Sequence, residues 1–164
     1  MNWTRLILDA LVMAAVFNLA AMAAMAYDPR LILPGYPKSI REIAPPAARE
    51  KRLYHKGMIF GMLALTAYST ASALSAGVEG FWNLFFTFYL EWLIVSLSDF
   101  FLLDILLMKK WGTRIVIPGT EGHPDYEFKN WMRKLVLPEH LLLWPLVLAP
   151  LLALIQAGAG WLIG

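Results

Sequence analysis

Asp99, Asp104, Glu139 and His140 are the residues of this chain whose types best suit catalysis. Carboxylates gathered around an imidazole can exchange protons with a substrate or hold a divalent metal. Asp99 and Asp104 end one apolar run, residues 81–108, and Glu139-His140 open another, residues 140–163. His55 stands just before a third run, residues 57–76. The spacing matches no familiar motif, and it leaves the metal and any cofactor unknown. Asp99 and Asp104 are five residues apart, about 140° around an α-helix, so they are not expected to face one ligand unaided. Asp104 could instead pair with Lys109 or with loop arginines. His55 and His140 as axial haem ligands find no support elsewhere in the chain.

A second candidate is Glu91, about ten residues inside the run 81–108, or roughly 15 Å deep at 1.5 Å per residue. An ionisable group at membrane depth is costly and marks a functional site by default. Asn18 and Tyr68 or Ser69 fall at similar depth, and Asn18 and Tyr68 are the expected partners. No Lys, Arg or His lies at that level. Desolvation there favours the uncharged acid. Three readings stay open: a hydrogen-bonded lock between helices, a proton or cation site, and a group facing a partner subunit.

The third candidate is the loop at residues 117–126, with two Gly, two Pro, Glu121, His123 and Asp125. Loops carry binding residues disproportionately. A turn followed by a helix cap accounts for the same residues.

The elements that must position these groups are four apolar runs, at about residues 6–26, 57–76, 81–108 and 140–163. Each has about the 20 residues a helix needs to cross a bilayer. The chain is 59% hydrophobic, with mean hydropathy +0.57. A soluble domain of 164 residues is usually about 45–50% apolar and could not hide four such runs. The first run is longer than the 7–15 residues of a signal-peptide core, so it reads as a retained helix. The Gly57-x-x-x-Gly61 spacing permits close helix approach.

Of fourteen Lys and Arg, seven lie between the first two runs and six between the last two; Arg5 is the remaining one. Four crossings put both basic segments on one side. The positive-inside rule makes that side cytoplasmic and both termini external. Between the last two runs, Phe128, Trp131, Leu135 and Val136 recur at helical spacing opposite Asp125, Lys129, Asn130 and Arg133. That is an amphipathic helix over about 125–136, expected to lie in the interface plane and to stop at Pro138. Pro145 and Pro150 should then kink the last helix.

The absence of cysteine excludes disulfides, thiolate metal sites and cysteine nucleophiles. There is also no phosphate-binding glycine loop, histidine-rich box, serine nucleophile elbow or voltage-sensor repeat. Nothing points to nucleic acid. The reading is a single all-α integral membrane domain: four transmembrane helices in a bundle, with an amphipathic interfacial helix in the third loop. It would sit in the cell membrane as a multi-pass protein, with the lipid bilayer as its partner and a homo-oligomer or membrane-complex partner as a further expectation. The function favoured is a small enzyme or binding protein for a lipid-like or apolar substrate at the cytoplasmic face. The rivals are an oligomeric proton- or ion-coupled transporter or channel using Glu91, and an accessory subunit of a membrane complex.

Overall fold

Helix α1 (Trp3–Tyr27) opens where the Asn2 side chain accepts from the Arg5 amide at 3.1 Å, which satisfies one free N–H of the first turn. It stops at Asp28-Pro29, because proline at position 29 disfavours helix in the residue before it. A 3-10 turn (Pro29–Gly35) and a short α2 (Lys38–Ile43) follow. The computed structural model describes residues 1–46, 52–112 and 114–164, without the side chains of residues 52–55, 107 and 111. Helix α3 (Arg52–Ser75) turns back through Gly77 and Gly80, whose φ values of 71° and 83° suit glycine.

Helix α4 (Phe81–Asp99) continues unbroken as a π-helix (Phe100–Leu107) and then α5 (Met108–Trp111). After a loop and a 3-10 turn (Pro124–Tyr126), α6 (Phe128–Trp131) begins the longest helix. It passes through π segments Met132–Val136 and Glu139–Leu148 into α7 (Ala149–Ile163), so Phe128–Ile163 is one helix of 36 residues.

This corrects the expected separate interfacial helix over 125–136. Asp125 lies in the 3-10 turn, and Pro138 keeps helical angles (φ −62°, ψ −37°) without ending the helix. The π segments explain the passage. A proline lacks its N–H and clashes with the carbonyl four residues back. The wider π turn bonds five residues back instead, as where the Ala149 amide donates to the Trp144 carbonyl around Pro145. Trp131 and Val136, 6% and 0% exposed, face a protein core.

The fold is all-helical among the described residues. Among the described residues, three helices are long and apolar enough to cross a membrane: Trp3–Tyr27, Lys56–Ser75 and Phe128–Ile163. The α4 helix is the centre, packed mainly on α7 and α1. Leu84, Phe88, Trp92 and Val95 repeat at helical spacing on its buried face. Ala149, Ala153 and Ala157 are fully buried, so α7 comes close to α4. Large apolar side chains such as Leu19, Phe60, Leu146 and Leu162 cover the outside.

Gly57 and Gly61 do not make the close approach their spacing allows; a Cβ on either would meet nothing within 4 Å. A gap of about 200 Å³ lies there between α1 and α3.

At the end of the bundle away from both termini, the two long loops dock on each other. Tyr36, Ile40, Ile115, Ile117, Trp131 and Val136 form their shared core. The buried Tyr36 hydroxyl donates to the Ile115 carbonyl at 2.8 Å, and its ring meets Trp131 edge-on at 5.3 Å. Burial pushes the Tyr36 phenol well above its ordinary range, so it stays a donor.

Candidate functional site

The π segment after Asp99 decides the site. In a π turn the hydrogen bonds join residues five apart, so residues five apart stack along one side. Asp99 and Asp104 therefore reach the same imidazole, where α-helical spacing would have separated them. His140 Nε2 is 2.9 Å from Asp104 Oδ2 and 3.8 Å from Asp99 Oδ2. The donor atoms of these three residues all lie within 4.8 Å of one another, so they could hold a metal ion.

Neighbours fix the ring. Ser96 Oγ is 2.8 Å from His140 Nδ1, and Phe100 meets the imidazole edge-on at 5.6 Å. The Trp131 indole N–H donates to Asp104 Oδ1 at 3.3 Å. A ring proton on Nε2 would face Asp104 and leave Nδ1 to accept from Ser96. Such a carboxylate–imidazole–hydroxyl chain can orient a general acid or base.

Beside this cluster is a cavity of about 360 Å³ under the docked loops. Asp99, Asp104 and Glu139 line one part of it. The other walls are apolar, with Phe17, Ala21 and Met25 from α1, Leu31 from the first loop and Met58 from α3. The volume lies in the range of small-molecule sites, and a few convergent polar groups in an apolar cleft are typical of them.

Glu91 is fully buried, and the Ser69 hydroxyl donates to its Oε2. Its Oε1 has no partner among the described residues. The expected partners are elsewhere, which corrects that expectation. Asn18 donates to the Ala14 carbonyl at 2.7 Å and to Ser98 Oγ at 2.8 Å. Ser98 is seven residues past Glu91, about 10 Å along the helix. Tyr68 donates to Asp9 Oδ1 at 2.7 Å, because it is turned about 100° from Ser69, towards α1.

Asp9 is 1% exposed and also accepts from Ser72 at 2.5 Å and from Arg5 at 3.2 Å. The Arg5 contact joins residues four apart on one helix; the other two are not visible in spacing. Gln156 was not singled out at all. It accepts from the Trp92 indole at 2.6 Å and donates to the Thr66 carbonyl at 3.2 Å, tying α7 to α4 and α3. A lone amide between Ile155 and Ala157 was the available signal. Ser96, which orients His140, had none.

The loop at 117–126 is organised by its own bonds. Thr120 Oγ1 donates to the Ile117 carbonyl at 2.8 Å, and the Ile117 amide donates to the Tyr126 hydroxyl at 3.0 Å. The Gly119 amide donates to both Glu121 oxygens, holding that carboxyl below its ordinary range. His123 Nδ1 accepts from the Asp125 amide at 3.1 Å and caps the 3-10 turn. Asp125 is buried; burial alone would raise its pKa, but the Lys134 and Ser39 hydrogen bonds outweigh that and lower it. The His55 side chain lies outside the described residues.

Compared with protein-family models, with curated proteins and with solved structures, the chain finds no match.

Proposed function

We propose that this protein is a membrane-embedded enzyme or binding protein that takes a lipid-like or apolar molecule into the cavity beside His140. One observation carries the reading: apolar walls on most sides and Asp99, Asp104 and Glu139 on one. That division suits an amphipathic guest, its chain against Phe17, Ala21 and Met25 and its polar group against the carboxylates. Asp99, Asp104 and Glu139 are the acid–base groups beside that polar group, and His140, held by Ser96 and Asp104, backs them. The positive-inside rule, applied to the basic loops over the cavity, supports a cytoplasmic opening.

The test is native mass spectrometry of protein released from membranes with its lipids retained. Wild type should carry a bound apolar molecule. Ala21→Phe, which fills the cavity from α1, should lose it and keep the thermal transition. A wild-type protein without any such molecule, or a variant that retains it fully, would count against the reading.

Proton or ion coupling at Glu91 in an oligomer is the second reading, supported by its unpartnered Oε1. It requires Glu91→Gln to abolish a flux across liposomes. The first reading requires no flux at all.

A further inference from the structure

We propose that Asp99, Asp104 and His140 bind one divalent transition-metal ion at the polar end of the cavity. The inference deepens the cavity reading above and rests on it for the ion's role, but its evidence is separate. The donors are mixed, two carboxylates and one imidazole, and come from two helices that the fold holds together. Zinc-type ions take His nitrogen at about 2.0–2.1 Å and carboxylate oxygen at about 2.0–2.2 Å. Two such ligands stand about 3.0–3.4 Å apart at octahedral to tetrahedral angles. The observed separations from His140 Nε2, 2.9 and 3.8 Å, bracket that span. The three donor atoms lie within 4.8 Å of one another, so the carboxylates would draw in around the ion.

Asp99 supplies the independent observation. Its carboxylate borders the cavity, is 16% exposed and pairs with His140 Nε2 at 3.8 Å, beyond hydrogen-bond reach. Its electrostatic neighbours are Asp104, Glu139 and His140. A carboxylate crowded by two other acids, with its imidazole partner that far off, is where a cation would be stabilising.

The orienting groups that metal ligands use are present. Ser96 holds His140 Nδ1, leaving Nε2 to face the carboxylates, and Trp131 holds Asp104 Oδ1, leaving Oδ2 free to turn. On binding, the ion replaces the proton shared by Nε2 and Oδ2, which leaves to solvent. The imidazole favours a transition ion over Mg²⁺ or Ca²⁺. Three protein ligands leave positions open towards the cavity, where the polar group of an apolar guest can bind.

The full chain, purified in detergent and stripped with EDTA, is titrated with Co²⁺ and its visible d–d bands are followed. One equivalent should bind. His140→Gln and Asp104→Asn should each weaken binding by more than Ser96→Ala, for which a loss of about 10–100-fold is expected. Folded wild type that takes up no stoichiometric Co²⁺ overturns the proposal whatever the variants do. So does binding unchanged in His140→Gln. Wild type that retains an apolar molecule but binds no Co²⁺ overturns the metal alone; wild type that binds Co²⁺ but carries no apolar molecule upholds the metal and overturns the cavity reading.

Discussion

The Lys134 ammonium lies 2.5 Å from the buried Asp125 carboxylate and so ties the long helix to the loop that precedes it. Ser39 donates to the same carboxylate from the first loop, so one acid joins three segments. A lowered folded pKa means that the unfolded chain binds the proton more readily. The pair's stabilisation is therefore full above the ordinary aspartate value near 3.8 and is lost as pH falls through the folded value. Lys134 is 44% exposed, so screening keeps the effect to roughly 0.5–2 kcal/mol. Thermal unfolding of wild type and Asp125→Asn should differ by a constant amount down to about pH 5 and converge well below it. A gap that persists to about pH 2 would show that the ion pair is not its source.

Tyr36→Phe removes the donor to a buried carbonyl and keeps the ring. The Ile115 oxygen is then unsatisfied, at a cost of about 1–3 kcal/mol. Trypsin should cut the two long loops faster in this variant than in wild type. Equal cleavage rates would mean that the apolar contacts around Ile40 and Ile117 dock the loops unaided.

Glu91→Gln keeps an acceptor for Ser69 and nearly the same volume, and should unfold within about 1 kcal/mol of wild type. Glu91→Ala strands Ser69 and leaves a void, and should cost roughly 2–4 kcal/mol. Denaturation in detergent separates the two. If Gln were as damaging as Ala, the charge or proton on Glu91, and not its hydrogen bond, would be what the bundle needs.

Lys38 and Lys129 lie on the loop end of the bundle and Glu79 in the turn at the other end, all three exposed. Single cysteines at these positions, treated in intact cells with an impermeant thiol reagent, should label at position 79 and not at 38 or 129. Labelling at 38 or 129 would reverse the orientation drawn from the basic residues.

Much of the architecture was legible in the apolar runs, because a 20-residue stretch of such composition has few other conformations. The burial of Glu91 was legible for the same reason. Its partner was not. Depth can be counted along one helix, but the axial offset between helices is set by packing, and Asn18 turned out level with Ser98. The pairing of Asp99 with Asp104 was missed because a fixed 100° per residue was assumed. A π segment adds room for one residue per turn, and no local residue type in Phe100–Leu107 announces it. Pro138 misled in the same way: a proline stops an α-helix of ideal pitch, and a wider turn beside it lets the chain go on.

The bare surface at Gly57 and Gly61 has a thermodynamic consequence. The gap there and the larger cavity share Phe17 and Met58 as wall residues, so the two spaces adjoin. In the membrane setting proposed above, a guest entering by that flank would come from the hydrocarbon phase and not from water. Its burial then gains little from leaving water, since partitioning into lipid has already released that free energy. Occupancy would follow the guest's mole fraction among the lipids, and an affinity expressed per litre of buffer would change with the amount of membrane in the tube.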